Sequence, residues 1–271
     1  MEWSRMLLWS LRLDAEFVFW IPDLPLVERL RFVLLKYLLF FRDRCLSSRE
    51  PRAVRVFGMR YIYDDRFGLG SLQRVYCASW RLKRLLPQNP VVVDVGANLG
   101  QFNFFCRHYL GSPRVLSVEP ISSCFRLLEL NSGDPFDCVN AAVAPIAGEI
   151  SLHVARDSQL SSVIPDDGGD YGVPISVESL PLDSLLEERC VDRIDLLKID
   201  TEGSEMDVLR SGVRALERCD AVLVEMSVFR KSSGNLFTVG KYLEDRGFRL
   251  RELIFDRTRS PKDVDGVFTR S

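Results

Sequence analysis

The feature that most constrains this chain is the stretch VVVDVGANLGQF, from Val91 to Phe102. Val91 to Val95 has the near-continuous apolar character of a strand buried on both faces of a parallel sheet, interrupted only by Asp94. Gly96 ends the strand, where a residue without a Cβ lets the chain turn tightly and come close to a ligand. Gly100 falls at the start of the following helix and permits close contact with a ligand or with the sheet. Open α/β sheets bind ligands outside the carboxyl ends of their strands, so this turn, with Ala97 and Asn98 in it, is a binding site by position. The dinucleotide fingerprint would place a glycine where Asn98 stands, because the backbone there must meet pyrophosphate. Asn98 argues against a nicotinamide cofactor, and Asp94 repels phosphate but suits an amino group. S-adenosylmethionine fits, with adenosine, no phosphate and an ammonium on its amino-acid tail.

From Val91 onward, strand-like and helix-like segments alternate, which specifies a doubly wound α/β sheet. RVLSVEP, DCVNAAVA, IDLLKID and DAVLVEM read as strands. NLGQFNFFCRHYL, SSCFRLLELN, LDSLLEE, SEMDVLRSGVRALERC and NLFTVGKYLEDRG read as helices. EISLHVA and PISVESL read as paired or irregular β segments. The last two strands, near FRLRELIF and GVFTR, have too little chain between them for a crossover and are expected as an antiparallel edge hairpin. Upstream, VRVFGMRYIYDD alternates as a hairpin about Gly58, and a helix is expected from about Ser71 to Leu86.

Three further strand ends carry chemistry. Glu119, closing the second strand, stands where ribose hydroxyls are held. Asn140, at the third, offers an amide to an adenine edge, with the small Ala141 and Ala142 beside it. The fourth, IDLLKIDTEGSE, brings Lys198, Asp200 and Glu202 to one strand end. Carboxylates there can take a proton from a substrate hydroxyl and favour a cationic sulfonium. Lys198 lies inside an apolar strand and must pair with an acid, reach solvent or function.

Composition narrows the rest. With 271 residues, 46% of them hydrophobic, the chain can build a full core. A net charge of −2 gives no support to a nucleic-acid partner. Seven cysteines, odd in number and without a CxxC, read as reduced thiols of a cytoplasmic protein. No Cys/His spacing suggests zinc, so no metal site is assigned, although an oxygen-ligand Mg²⁺ or Ca²⁺ site stays open. Neither a signal peptide nor a membrane-spanning helix is evident.

Residues 1–50 differ from the remainder, 51–271. They hold three of the four tryptophans, Trp3, Trp9 and Trp20, and a helix reading from Pro25 to Arg44. On a helical wheel Glu28, Arg29, Arg31, Lys36, Arg42 and Asp43 share a polar face opposite a wide apolar arc. The segment reads as an amphipathic extension docked on the rest of the chain, or as a helix at a membrane surface.

DVGANLGQF, SVEP and LLKIDTEGSEMDVLRSG, in that order and spacing, resemble the FkbM-type S-adenosylmethionine-dependent methyltransferases. NAAVAPIAGEISLH and the pair Ser161 and Ser162 are similar to that family's middle segment. The resemblance covers a core of roughly 91–247. It implies a class I methyltransferase (Rossmann-like) fold, with a seven-stranded sheet containing one antiparallel strand. It also implies O-methylation of a sugar, glycan or other small-molecule or lipid-linked acceptor. Carried over by position, Asp94, Gly96, Asn98, Gly100 and Glu119 would line the cofactor, and Asp200 and Glu202 would face the transferable methyl. The alternative weighed is a non-catalytic or membrane-surface protein that keeps the fold without turnover.

Overall fold

The computed structural model describes residues 2–46, 50–64, 68–153, 173–228, 234–254 and 263–270. Ser161 and Ser162 lie outside the described residues, as do the side chains of Trp3 and Trp9.

Two helices open the chain, α1 (Glu2–Trp20) and α2 (Leu26–Leu46). A hairpin follows, β1 (Arg52–Val56) and β2 (Met59–Tyr63), paired in antiparallel register about Phe57 and Gly58. Both turn residues have positive φ, 50° and 79°, as a two-residue hairpin turn matched to strand twist requires. Helix α3 (Gly68–Ser79) continues into a 3₁₀ turn at Trp80–Arg84, so the expected helix starts three residues early and changes pitch before its end.

The central sheet runs through β3 (Val91–Val95), β4 (Arg114–Val118), β5 (Cys138–Val139), β9 (Leu196–Ile199), β10 (Ala221–Ser227), β11 (Phe248–Ile254) and β12 (Asp263–Arg270). Their spatial order is β11-β12-β10-β9-β3-β4-β5. β12 is antiparallel to both of its neighbours, β10 and β11, while the other described pairings in this sheet are parallel. The expected edge hairpin is present, with its second strand tucked inside its first. This order and this single reversed strand are the class I methyltransferase sheet. Val92, Leu196, Leu223 and Val267 cover one face together with the N-terminal segment. Val93, Leu197, Val222 and Phe268 cover the other, under α6 (Leu182–Glu188), α7 (Glu205–Ser211), α8 (Val213–Glu217) and α9 (Leu236–Glu244). Helices α4 (Gln101–Phe105) and α5 (Ser122–Asn131) link the first three strands.

Two single elements expected from the sequence are each divided. DCVNAAVA supplies β5 to the central sheet and β6 (Ala142–Val143) to a separate sheet with β7 (Gly148–Leu152) and β8 (Ile175–Leu180). Asn140 sits at the break, its amide donating to the carbonyls of Glu119 and Pro120 at 2.8 and 3.0 Å. The helix after the fourth strand splits into α7 and α8 at Gly212, where a Cβ would lie 2.6 Å from the Leu182 side chain.

The N-terminal helices share the core. Phe17, Ile21, Leu24, Phe32 and Leu39 belong to the same apolar cluster as Tyr61, Tyr76 and Val92. The polar face expected on α2 is, however, divided by the fold. Arg31 and Arg42 face water, whereas Lys36 and Asp43 are buried. Lys36 Nζ pairs with Asp14 of α1 and donates to Gln73 of α3 at 3.0 Å. Gln73 and Tyr37 both donate to Asp14, at 2.8 and 2.6 Å. Asp43 pairs with Arg52 and accepts from Tyr63 at 3.0 Å. Apart from Asp43–Arg52, nine residues apart, these bonds reach across 20 or more residues of sequence, so a helical wheel does not show them.

Because the Lys36–Asp14 pair is buried, Asp14→Ala should cost about 3 kcal/mol by leaving an uncompensated ammonium. The joint change Asp14→Leu with Lys36→Met should cost less than half of that. Urea unfolding of the three proteins measures both.

Candidate active site

The loop after β3 is built from left-handed residues. Gly96, Asn98 and Gly100 have φ of 84°, 49° and 86°. Asparagine is among the few side chains that occupy this region readily, which is what the position of Asn98 demands. The amides of Gly96 and Ala97 both donate to Val118 O of β4 at 3.0 Å, which pins the loop over the second strand.

The glycines answer to the chain itself. A Cβ on Gly96 would lie 1.8 Å from the carbonyl oxygen of Asp200, so β3 and the end of β9 approach more closely than any other residue allows. A Cβ on Gly100 would meet Leu128 at 3.0 Å and Asn131 at 3.4 Å. Its close neighbour is therefore helix α5, where the sequence suggested a ligand or the sheet.

Asp94 and Lys198 are register partners on adjacent parallel strands. Asp94 is fully buried, and its Oδ1 lies 3.2 Å from Lys198 Nζ. Lys198 Nζ also lies 3.2 Å from Asp200 Oδ2. Burial alone would lower the lysine pKa, but Asp200 and Asp94 outweigh it and hold the ammonium above its usual range. Burial raises the Asp94 carboxyl, with Lys198 opposing. Asp94 Oδ2 and Asn98 Oδ1 are buried acceptors without a hydrogen-bond partner among the described residues. Two orphaned acceptors on the turn after the first sheet strand fit a ligand that brings N–H donors and positive charge.

Glu119 is buried at the end of β4, and its carboxylate accepts from the amides of Asn98 at 2.9 Å and Ile121 at 2.8 Å. Each oxygen keeps a second lone pair for a ribose hydroxyl. Desolvation pushes the carboxyl up to about 7, against the two amides. Asn140 commits both amide hydrogens to backbone carbonyls and shares its Oδ1 with Ser122 at 3.0 Å. Ala141 is buried beside it.

The end of β9 is surrounded by more acid than the sequence suggested. Asp200, Glu202 and Glu225 each bring a carboxylate oxygen within 4.8 Å of the other two. Such a hard-oxygen set is of the kind that holds Mg²⁺ or Ca²⁺. Glu225 follows the β9-paired part of β10 and faces Asp265 of β12 in antiparallel register. Desolvation, then Asp200 and Glu202, then Asp265 and Asp263, push Glu225 well above the usual carboxylate range. Asp265 is pushed up to about 7 by desolvation and then by Asp200. Neither was expected as a site residue. The available signal was a lone acid inside the apolar run AVLVEMS, but only strand register places it beside Asp200. Glu202 and Gly203 have positive φ, 52° and 119°, and the Gly203 amide donates to Glu205 at 2.7 Å, so the turn carrying Glu202 is tied from α7.

A family model described as "Methyltransferase FkbM domain" matches residues 94–250. The chain is 28% identical over 219 residues to a protein named methyltransferase sdnD from Sordaria araneosa, across 68% of this chain and 82% of that one. It is 26% identical over 196 residues to a hexuronic acid methyltransferase, AglP, of Haloferax volcanii, across 66% and 76% of the two chains. A solved structure of a methyltransferase FkbM from Methylobacillus flagellatus KT superposes with a TM-score of 0.47 at 14% identity, covering 75% of this chain and 54% of that one.

Two outcomes follow from this geometry. Gly96→Ala forces a methyl into the Asp200 carbonyl and a side chain into positive φ. It should cost about 3 kcal/mol in urea unfolding and remove cofactor binding. Glu119 stays protonated in the folded chain where its unfolded counterpart, near 4.5, has already ionised. Stability should therefore fall as pH rises from about 4.5 to 7, with Glu119 contributing roughly 3 kcal/mol of the fall. Glu119→Gln should remove that share of the slope, as read from unfolding curves at both ends of the window.

Proposed function

Because the chain belongs to the methyltransferase FkbM domain family, with S-adenosylmethionine as its cofactor, we propose that it methylates a hydroxyl oxygen on a sugar, glycan or other small-molecule or lipid-linked acceptor. The observation that carries this reading is the convergence of Asp200, Glu202 and Glu225 at the strand ends beside the glycine turn. The hexuronic acid named for the Haloferax relative supports a sugar hydroxyl as acceptor.

In this reading Asp94, Ala97, Asn98 and Glu119 hold the cofactor; Asn140, expected to offer its amide to adenine, has that amide engaged by Glu119 O, Pro120 O and Ser122 and instead shapes the wall beside Ala141. Asp94 Oδ2 and Asn98 Oδ1 supply the unfilled acceptors. Glu119 supplies the ribose carboxylate. Gly96 and Gly100 act on the cofactor through the strand and helix they bring close. When bound, S-adenosylmethionine supplies an electrophilic methyl on a sulfonium and is left as the neutral thioether.

The chain's remaining tasks are alignment and proton removal. As the acceptor oxygen gains its bond to carbon, its O–H bond breaks and a carboxylate takes the proton. We assign that proton to Glu202, held on its positive-φ turn. Glu225 and Asp200 stand beside it, within 4.8 Å between carboxylate oxygens. Lys198 keeps a positive charge against Asp94 and Asp200, so the crowded carboxylates do not drive the strand ends apart.

Calorimetry with S-adenosylhomocysteine should show binding that Asp94→Ala abolishes, and absence of binding by the wild-type chain would sink the enzyme reading. With labelled S-adenosylmethionine and a panel of uronic acids and neutral sugars, transfer to oxygen is expected. Glu202→Gln should lower kcat by about 10² to 10⁴ with little change in S-adenosylhomocysteine affinity. An unchanged kcat would move the base elsewhere in the carboxylate cluster.

A further inference from the structure

The N-terminal helix pair buries Phe17, Ile21, Phe32 and Leu39 in the core yet also exposes apolar residues, while its polar residues Asp14, Lys36 and Asp43 are buried. On α2, Leu26, Leu30, Leu34, Leu38 and Phe41 fall at steps of four, four, four and three along one line, each at least half exposed. On α1, Leu8, Leu11, Phe19 and Trp20 are exposed to the same degree. These helices, with Val27, hold ten of the twenty large apolar side chains exposed among the described residues. The stripe from Leu26 to Phe41 is about 22 Å long, well beyond the scattered exposure of an ordinary surface.

Three arginines rim this face. Arg12, Arg31 and Arg42 keep 46%, 72% and 43% of their side chains exposed. The nearby acids are already engaged: Glu16 with Arg12, Glu28 with Arg31, and the buried Asp43 with Arg42 and Arg52. Residues 1–46 carry seven Lys and Arg against six Asp and Glu, while the rest of the chain carries 29 against 32. The α2 stripe is thus apolar along its middle with Arg31 and Arg42 beside it, on a segment of net charge +1 attached to a body of net charge −3.

That pattern separates two occupants. A second copy could cover the leucines, but a two-fold contact would bring two segments of the same net positive charge together. A phospholipid surface offers hydrocarbon to the stripe and phosphate to the rim, and an aromatic such as Trp20 at a helix end suits the headgroup level. No described helix is long and apolar enough to cross a membrane, so the pair would lie along the surface. We propose that the outward faces of α1 and α2 dock this protein on a phospholipid membrane surface. The inference is independent of the reaction proposed above.

The test is co-sedimentation of the full chain with vesicles of phosphatidylcholine, alone or mixed with phosphatidylglycerol. The wild-type chain should pellet with vesicles, more strongly with the anionic mixture. Leu34→Glu with Leu38→Glu should lower the partition coefficient at least about tenfold while leaving S-adenosylhomocysteine binding and the circular dichroism spectrum unchanged. Arg31→Glu should weaken pelleting with anionic vesicles and leave that with phosphatidylcholine as it was. Failure of the wild-type chain to pellet with either vesicle would overturn the proposal, as would equal pelleting of the leucine double variant. A dimer in sedimentation velocity that the double variant dissolves, with no vesicle binding, would assign the face to a second copy instead. Loss of S-adenosylhomocysteine binding by the wild-type chain would count against the reaction and leave the docking result standing.

Discussion

The ammonium of Lys198, held between Asp94 and Asp200, is the interaction on which the site depends. Asp94, Asp200, Glu202 and Glu225 crowd the carboxyl ends of three neighbouring parallel strands, Asp265 joins them from the amino end of the antiparallel β12, and Lys198 is a cation placed among them by register. Like charges in a poorly solvated crevice repel strongly, and an interior lysine without acids would lose its proton. Each half of the arrangement makes the other tolerable. The close backbone approach of Gly96 to Asp200 locks the same two strands, so the glycine turn and the acidic turn form one rigid unit. This also gives a physical reason for DVGAN and KIDTEGSE to occur together in one chain, since neither turn can keep its geometry without the other.

The parts of this structure set by local periodicity were legible in the sequence. Continuous apolar runs gave the buried parallel strands, and alternation on either side of a glycine gave the hairpin at Gly58. Positions at strand ends gave Asp94, Glu119, Lys198, Asp200 and Glu202, because the site of an open sheet lies where its strands end. What escaped were features set by pairing between distant segments. Glu225 reaches the site through the pairing of β10 with β9, and Asp265 because β12 inserts between β10 and β11, and no local pattern encodes that order. Asn140 looks like a turn residue, and only the structure shows its amide bridging to Glu119 and Pro120 and sending the chain into another sheet.

The burial of Lys36 on α2 escaped for a related reason. A helical wheel reports that a polar and an apolar face exist but not which of their residues are turned inward. That choice is made by Asp14 and Gln73, 22 and 37 residues from Lys36, which offer it partners that water would otherwise supply. With those bonds in place the burial of an ion pair becomes bearable.

Two buried polar clusters can then be told apart by their completeness. Around Lys36, the carboxylate, amide, phenol and hydroxyl groups of Asp14, Gln73, Tyr37 and Ser10 bond one another, and the network is closed. Around Lys198, Asp94 Oδ2 and Asn98 Oδ1 lack partners, and Glu225 and Asp265 face acids. Closed networks hold a fold in one arrangement, whereas unfilled ones cost stability and persist where a ligand completes them. By that criterion the N-terminal network is scaffold for whatever its outward face meets, and the strand-end cluster is the place proposed to receive cofactor and acceptor.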